Sequence, residues 1–504
     1  MKRFTTFTGI DRAIFVTLLG RGWNVGAGLL TIFLVAHFLT PELQGYYYTF
    51  NSLIALQIFA EIGLNFAVIQ FASHEMAELT WQTNGTVAGS AIAKRRLQSL
   101  LNFVYTWFGV AALIMVIVLM PLGLYFFGID SVEEFQQSNI AIPWLLLVFL
   151  TAINLFITAS TAILEGCNKV SAVAVIRLWQ SIFAVTAVGL TLLLGGELYA
   201  LVAGSLMMAL IGSSCLIFKF RAFIYDLTTL ATDLPGMSWK KEIWPFQWRI
   251  AASWMSGYLI FQLFTPLLFR THGAVAAGQM GMSLQIIAAM NSVAMVWITT
   301  KVPTYGQLIA TKQFVALNAL FARGLLQSSG FLLFSVILVW LGLFYLNEIT
   351  SPYAVRVLPL PLFSWLCLVC LANHFVFAEA SYLRAYKKEP FMALSVLNGL
   401  ATAVLAIMLV PPLGVAGAVY SYTVTALVIG LMGGSFVFIK KRKDWTTVPQ
   451  LEKQFKAEID VEECPDLKEL TDKEKDALIL DLHKANKHLR LQIKQKLAET
   501  EAID

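Results

Sequence analysis

Residues 13–38 read AIFVTLLGRGWNVGAGLLTIFLVAHF, a long apolar run interrupted by Arg21. A helix needs about 20 apolar residues to cross the hydrocarbon core of a bilayer, so this stretch is long enough to span it. The apolar core of a cleavable signal peptide has only about 7–15 residues and precedes an A-x-A-like site, which does not follow here. The sequence therefore predicts a membrane span that remains in the protein.

Apolar runs of similar length recur as far as residue 439 and predict an all-α, polytopic membrane protein. We predict about 12 transmembrane helices, arranged as two six-helix bundles. The predicted spans are residues 13–38, 46–71, 100–127, 141–164, 173–194, 198–218, 244–269, 275–300, 324–346, 358–383, 391–410 and 415–439.

The charges of the loops predict the orientation. If the N-terminus is cytoplasmic, the outer loops carry only the cations Arg270 and Arg356, and the other loop cations lie on the inner side. Cytoplasmic loops of membrane proteins are enriched in Lys and Arg. We therefore expect both termini in the cytoplasm and a location in the cell inner membrane.

An internal repeat relates the two halves. Residues 198–205 (LYALVAGS) resemble residues 414–421 (GVAGAVYS) near the last span of each half. An even number of spans per half predicts a parallel repeat, with a pseudo-two-fold axis along the membrane normal. The alternative is chance similarity between helix ends rich in small residues. We predict bundles at residues 1–220 and 221–440, followed by a charged cytoplasmic tail at 441–504.

The segments outside the spans also carry structural signals. The long inner loops at residues 72–99 and 219–243 mix apolar and charged residues, which predicts short helices on the membrane surface. In the tail, Thr471 and Glu474 form a capping box before apolar residues at heptad spacing. We predict a terminal helix, either a short coiled coil or a solvated single helix, as a candidate docking site for a cytoplasmic protein.

Composition excludes several classes of protein. The chain is 58% hydrophobic and only 13% charged, with a mean hydropathy of +0.70, which excludes an ordinary soluble domain. The net charge of +5 follows the loop topology and indicates no nucleic-acid partner. No G-x-x-x-x-G-K-[ST] motif is present, so we expect no ATP hydrolysis. Cys367 and Cys370 lie in an apolar run, which favours helix packing over a metal or redox site, and no cofactor is expected.

Polar side chains inside the spans are the candidate functional residues, because an ionisable group at the bilayer centre costs at least about 2.5–3.5 kcal/mol. Their spacing places some of them on shared helix faces. Arg21 and Glu61 could meet across the first helical hairpin, or each could line a water-filled cavity. The candidates are Arg21 and Asn24 on the first span, Gln57, Glu61 and Asn65 on the second, Arg249 and Ser253 on the seventh, and His374 and Glu379 on the tenth.

Most of the ionisable candidates also have a structural interpretation. Arg21 can extend its side chain to the cytoplasmic headgroups, and Arg249 can act as an interface anchor. His374 fits either a hydrogen-bonded core histidine or a titrating group. Glu379 lies near the inner boundary, where water can solvate it.

Two short motifs resemble a known family. The L-x-P-E-x-x-G turn at residues 39–45 and the acid-x-G-L segment at residues 61–64 are similar to the opening of bacterial polysaccharide (O-antigen type) flippases. These belong to the multidrug/oligosaccharidyl-lipid/polysaccharide exporter superfamily. Family members often carry Asp where this chain has Glu61, and the tail here is longer than the family pattern.

The resemblance implies a flippase that moves a polyprenyl-diphosphate-linked oligosaccharide across the inner membrane by alternating access. Such a protein would contact membrane lipids and use H⁺ or Na⁺ as the coupling ion. Arginine suits an anionic diphosphate because its guanidinium donates two parallel hydrogen bonds. The expected substrate-binding residues of a central cavity are Arg21, Asn24, Gln57, Asn65, Arg249 and Ser253. The expected coupling or gating residues are Glu61, His374 and Glu379.

Three other functions remain open from the sequence. A multidrug or cation antiporter of the same superfamily would have a cavity dominated by carboxylates. A membrane glycosyltransferase or polymerase would need a larger outer loop than this chain offers. A scaffold organised by the tail would not transport at all.

Overall fold

The computed structural model describes residues 12–128, 139–228, 236–386 and 388–445, and this part of the chain is almost wholly helical. The helices are α1 (Arg12–Phe38), α2 (Pro41–Ile54), α3 (Gln57–Glu61), α4 (Leu64–Met76), α5 (Ala91–Phe126), α6 (Ala141–Gly166), α7 (Val170–Leu193), α8 (Tyr199–Lys219), α9 (Arg221–Thr228), α10 (Trp244–Phe261), α11 (Phe264–Ala294), α12 (Val296–Thr299), α13 (Val302–Ala310), α14 (Phe314–Glu348), α15 (Leu360–Arg384), α16 (Met392–Leu413) and α17 (Val415–Thr425). The remaining elements are strands β1 (Leu79–Trp81) and β2 (Val87–Gly89), a 3-10 turn (Ala354–Arg356) and π-helical segments at Trp239–Ile243 and Ala426–Gly433. The predicted terminal helix near Thr471 lies outside the described residues.

The membrane-spanning helices agree with the predicted class of fold. Among the described residues, nine helical stretches are long and apolar enough to cross a membrane, or ten if the bent pair Pro41–Glu61 and Leu64–Met76 forms one span. The stretch Ala251–Ala310 has 60 residues, about 90 Å if it were one helix, which is three times the hydrocarbon thickness. Gly273 breaks this stretch with a φ of 84° and a ψ of 178°. The total of twelve spans stays a prediction.

The L-x-P-E-x-x-G turn fixes where α2 begins. The hydroxyl of Thr40 accepts a hydrogen bond from the N–H of Leu43 at 3.2 Å, as an N-cap side chain does. Pro41 occupies the start of the helix, where its missing N–H leaves no intrahelical bond unmade. Glu42 in the first turn is favoured by the helix dipole.

The second predicted span is broken in its middle. Pro41–Glu61 and Leu64–Met76 are bent by 43° relative to each other. The bend arises because Ile62 has a φ of 41° and Gly63 a φ of 65°, both in the left-handed region. Glycine adopts this region readily, but a β-branched residue such as Ile62 is strained there. The break leaves the carboxylate of Glu61 at the end of a helical segment inside the apolar region.

The loop at residues 72–99 contradicts the prediction of a surface helix. β1 and β2 pair as an antiparallel hairpin, with Leu79 opposite Gly89. The connecting residues include Asn84 and Gly85, and Gly85 has a φ of 84°. An Asn-Gly pair between β-branched and aromatic residues is a strong hairpin signal, and here it outweighs the mixed apolar and charged composition.

Buried apolar side chains form two clusters, each drawn mostly from one half of the sequence. The first cluster extends from Leu34 to Ile243 and also includes Met282 and Val357, whereas the second extends from Ile260 to Ala426. In the second long loop, α9 is helical as predicted, and it buries Phe223 and Leu227 in the first cluster. The boundary between domains at residue 220 stays a prediction.

Candidate functional site

The two halves approach each other closely where α2 packs on α11. A Cβ at Gly45 would overlap the backbone of Ala274, and a Cβ at Gly278 would lie 2.9 Å from the nitrogen of Gly45. A Cβ at Gly281 would lie 2.5 Å from the Cβ of Tyr48. Small residues allow such close approach between membrane helices. We call this contact, formed by Gly45, Tyr48, Ala274, Gly278 and Gly281, the glycine seam.

Gln44 adds buried hydrogen bonds beside the glycine seam. Its Nε2 donates to the carbonyl of Gly278 at 3.0 Å and to the carbonyl of Arg356 at 2.8 Å. The backbone N–H of Leu358 donates to Oγ of Ser283 on α11 at 3.0 Å. The loop between α14 and α15 is therefore tied to both halves of the molecule.

Next to the glycine seam, helices of both halves enclose a cavity of about 540 Å³. Its polar lining residues are Asn51, Ser52, Gln262, Thr265, Gln285, Asn291, Ser292 and Asn373. Its aromatic lining residues are Tyr47, Tyr48, Phe261, Phe377 and Tyr422. The halves also exchange a hydrogen bond at this wall, because Oγ of Ser52 lies 3.2 Å from Oε1 of Gln262 and donates to it.

The chemistry of this wall is polar but uncharged. Among the described residues that line the cavity, none is Asp, Glu, Lys, Arg or His. Amides and hydroxyls can both donate and accept hydrogen bonds. Inside a bilayer, such a wall suits a ligand with many hydroxyl groups, whose hydrogen bonds to water must be replaced on entry.

The predicted residues of the second span lie at its bend. Nδ2 of Asn65 donates to Oε2 of Glu61 at 3.2 Å. The ring of Phe59 meets that of Tyr258 on α10 edge to face at 5.5 Å, so the bend packs against the first helix of the second half. Gln57, Glu61 and Asn65 are not among the described residues that line the cavity.

Asn24 on α1 lies against α7. Its Oδ1 accepts a hydrogen bond from Oγ of Ser181 at 3.1 Å, and Nε1 of Trp23 donates to the same hydroxyl at 3.1 Å. The structure therefore joins Asn24 to the fifth predicted span. The side chains of Arg21 and Arg249 lie outside the described part of the chain, so the contact of Arg21 with Glu61 stays a prediction. Ser253 is half-buried on α10.

The two predicted residues of the tenth span have different surroundings. His374 is fully buried, with one ring nitrogen 3.2 Å from Oδ1 of Asn291 and the other 3.0 Å from Oγ of Ser328. Glu379 is 8% exposed, and its Oε1 accepts a hydrogen bond from Oγ of Ser435 at 2.9 Å. His374 is therefore connected to the cavity wall through Asn291, whereas Glu379 contacts Ser435, which follows the π-helical segment Ala426–Gly433.

Most residues of the cavity wall were not predicted from the sequence. Gly281, Gln285, Ala288 and Ser292 on α11 all line the cavity, and their spacings of 4, 3 and 4 place them on one helix face. The same spacing identified the candidates on the first and second spans. The signal was weaker here because the stripe contains no ionisable residue.

A set of ion pairs fastens the linker between the halves to the first half. Nζ of Lys94 lies 2.8 Å from Oδ1 of Asp226, and Arg96 contacts Glu75 at 2.8 Å and Glu242 at 2.6 Å. We call these five residues the linker clasp. A hydrogen bond from the backbone N–H of Ser238, followed by that from Arg96, lowers the pKa of the Glu242 carboxyl.

The fold and the polar cavity define a class of protein, the polytopic helical membrane protein with a polar cavity between its two halves. The solved structures that are similar in fold include two multidrug transporters and a lipid flippase. A multidrug resistance MATE family transporter of the MOP superfamily, inward-facing, has 14% identity and a TM-score of 0.62 over 86% of this chain and 99% of its own. The MATE multidrug transporter DinF-BH has 16% identity and a TM-score of 0.58 over 85% and 94%. The lipid II flippase MurJ has 13% identity and a TM-score of 0.52 over 89% and 94%.

The sequence profile of one family narrows this class. The profile described as "Polysaccharide biosynthesis protein" matches residues 10–309, and the chain belongs to this family. The resemblance carried by residues 39–45 and 61–64 is thereby confirmed. No curated protein sequence gives a significant match.

Proposed function

We propose that the protein is a flippase that moves a polyprenyl-diphosphate-linked oligosaccharide from the cytoplasmic to the periplasmic leaflet of the inner membrane, with both termini in the cytoplasm. The proposal is carried by the uncharged amide, hydroxyl and aromatic wall of the cavity between the two halves. Membership of the polysaccharide biosynthesis family supports it. The protein catalyses no covalent step, because the same molecule leaves on the other side.

The two parts of such a substrate need different surroundings. Sugar hydroxyls cannot enter hydrocarbon without hydrogen-bond partners, so the head group requires a polar cavity. Gln285 and Asn291 on one wall and Asn51 on the other offer both donors and acceptors. The polyprenyl tail is apolar and can remain in the bilayer while the head group crosses.

The charged parts of the proposal rest on residues outside the described cavity wall. Arg21 and Arg249, one on the first span of each half, are the proposed partners of the diphosphate. Glu61, His374 and Glu379 are the candidates for coupling to H⁺ or Na⁺. Rocking of the two bundles then exposes the cavity to either side of the membrane in turn.

A multidrug or cation antiporter is the second candidate, because most of the similar folds, including two of the three named above, are MATE transporters. A cationic ligand favours a carboxylate in its cavity. The described lining residues place amides there instead. We therefore rank the antiporter below the flippase, and a glycosyltransferase or polymerase below both.

The first experiment is to delete the gene and identify which lipid-linked species accumulates on the cytoplasmic leaflet. We expect a polyprenyl-linked oligosaccharide, and wild-type protein should restore its export. Gln285→Leu should restore export about tenfold less well, because it removes hydrogen bonds to the head group worth about 1–2 kcal/mol. Gln327→Leu is the matched control, since Gln327 is exposed on α14.

Two outcomes would overturn the proposal. Increased sensitivity to cationic drugs without any accumulated glycolipid would favour the antiporter, and glycan transfer by the purified protein would favour an enzyme. The role of Arg21 is tested separately by Arg21→Ala and Arg21→Lys. Lys should restore export in part and Ala should not, and full export with both variants removes Arg21 from the mechanism.

A further inference from the structure

His374 lies behind the cavity wall, where three helices meet. The ring belongs to α15, its Nδ1 faces Oδ1 of Asn291 on α11, and its Nε2 faces Oγ of Ser328 on α14. The same hydroxyl of Ser328 lies 3.1 Å from the carbonyl of Leu325. Since Asn291 lines the cavity, the imidazole is one hydrogen bond away from whatever the cavity contains.

The neutral ring has a full set of partners in one tautomer. An amide oxygen only accepts hydrogen bonds, so the proton must be on Nδ1, which donates to Asn291. Nε2 then accepts the hydroxyl proton of Ser328. Neither ring nitrogen is left without a partner.

The protonated ring has a full set of partners as well. Nδ1 still donates to Asn291, and Nε2 now donates to Oγ of Ser328. The hydroxyl of Ser328 turns its proton to the carbonyl of Leu325, which lies within hydrogen-bond distance. A buried donor or acceptor without a partner costs free energy, and here rotation of one hydroxyl avoids that cost in both states.

We propose that His374, Ser328 and Asn291 form a proton-binding site whose occupancy is coupled to the contents of the cavity. The coupling to transport rests on the proposed function. A sugar hydroxyl or water that binds the amide of Asn291 competes for the oxygen that holds Nδ1–H. The ligand therefore changes the proton affinity of the ring, and by linkage the proton changes the affinity for the ligand.

Other ionisable groups near this site set its electrostatic background. Cys370, one turn away on α15, and Tyr422 on α17 line the same cavity. Nζ of Lys301 and the hydroxyl of Tyr305 lie 3.6 Å from a Cβ built at Gly324, one turn before Ser328 on α14. On the same helix, the carboxyl group of Glu379 follows five residues after His374.

The site is tested by nitrogen NMR of purified protein labelled with ¹⁵N-histidine. One histidine signal, absent from His374→Gln, should show the Nδ1–H tautomer at about pH 8 and become doubly protonated as the pH falls towards about 5. Ser328→Ala should move the midpoint of this titration down by about one pH unit, because the charged ring loses a stronger hydrogen bond than the neutral ring. Ser335→Ala, whose hydroxyl donates to Phe331 on the same helix, should leave the midpoint unchanged.

A ring that stays in one neutral tautomer down to about pH 4.5, or an unchanged midpoint in Ser328→Ala, would overturn the proton site. Ser328→Ala keeps His374 in place, so the test survives if His374→Gln fails to fold. These measurements need no substrate, and flipping can persist when they fail. In proteoliposomes with a fluorescent polyprenyl-diphosphate-linked disaccharide, a pH gradient should accelerate flipping by wild-type protein severalfold. Loss of that acceleration in Ser328→Ala supports the coupling, and the same acceleration as in wild-type protein contradicts it.

Discussion

The glycine seam and the linker clasp both join distant parts of the sequence, but by opposite physical means. In the glycine seam, Gly45 and Gly278 bring backbones together with no side chain between them. In the linker clasp, long side chains meet across the contact, and Arg96 and Glu242 remain 29% and 33% exposed. One contact is steric and buried, whereas the other is electrostatic and partly solvated.

The difference indicates which contact resists change. Close-packed backbones cannot accept an added atom unless the helices move apart. Even one added methyl group at the glycine seam should therefore lower the stability of the protein. Partly exposed ion pairs contribute little to the free energy of unfolding and are screened by salt. The linker clasp can therefore rearrange at a small cost in free energy. The proposed rocking of the two halves would need both kinds of contact, one that holds the halves at a fixed distance and one that can rearrange.

The largest effect is expected from Gly45→Ala at the glycine seam. The added methyl group would overlap the backbone of Ala274, so α2 and α11 must separate. We expect a loss of about 3 kcal/mol of stability and a severe loss of export. Thermal unfolding in detergent and the complementation assay measure the two effects.

Gly109→Ala is the matched control for this change. Gly109 lies on α5, and a Cβ there would have no heavy atom within 4 Å. Alanine also has a higher helix propensity than glycine, so this variant should be as stable as wild-type protein or slightly more so. If Gly45→Ala and Gly109→Ala were equally stable and equally active in export, the close approach of the backbones at Gly45 would not contribute to stability.

A smaller effect is expected from Gln44→Leu, which keeps the packing but removes the polar contacts beside the glycine seam. The carbonyls of Gly278 and Arg356 lose their side-chain donor, which costs about 2 kcal/mol if water does not replace it. The unfolding temperature should fall less than in Gly45→Ala. Gln70→Leu, at an exposed position of α4, should leave it unchanged.

Cysteine labelling can show whether removal of the Gln44 hydrogen bonds also makes the cavity more accessible to water. A cysteine introduced at Ser52, on the cavity wall, should react faster with a membrane-impermeant maleimide in the Gln44→Leu background. Reaction at the wild-type rate, with normal export, would mean that Gln44 only stabilises the fold.

The sequence predicted what depends on local patterns. The apolar runs predicted long apolar helices, and nine helical stretches of the described residues are long enough to cross a membrane. The Thr40–Pro41 cap starts α2 five residues before the predicted span of residues 46–71. The acid-x-G-L motif places Gly63 at the bend. The left-handed backbone of Ile62 could not be predicted, because β-branched residues rarely adopt that conformation. Local chemistry therefore fixes helix ends more reliably than it fixes bends.

What depends on distant contacts was not accessible from the sequence. Ionisable residues such as Glu61 and His374 stand out in the sequence, whereas the position of Gln285 on the cavity wall depends on how α11 faces α2. Spacing places Asn24 on a stripe of the first span, but the partner of that stripe, Ser181, is 157 residues away. The free-energy cost of placing a neutral amide in a membrane span is smaller than that of an ionisable group, so amides do not stand out in a single sequence.

The smallest effect is expected at the linker clasp, and it depends on pH and salt. The pKa of Glu242 is lowered in the folded protein, so the carboxylate adds stability above its unfolded pKa. That stability is lost as the pH falls through the lower, folded pKa. Glu242→Gln should therefore reduce stability by about 0.2–1 kcal/mol at pH near 7 and low salt, as expected for a partly exposed ion pair.

The matched control is Glu78→Gln, which removes the same charge at an exposed position near the hairpin. The difference in unfolding temperature between wild-type protein and Glu242→Gln should shrink at about 1 M salt, where the Debye length is about 3 Å. It should shrink again as the pH falls through the lowered, folded pKa of Glu242, where the wild-type carboxylate takes up its proton and the two proteins become alike. A difference in unfolding temperature that persists under both conditions would mean that Glu242 acts through packing or neutral hydrogen bonds. The linker clasp would then not be an electrostatic contact at Glu242, and its contrast with the glycine seam would not hold there.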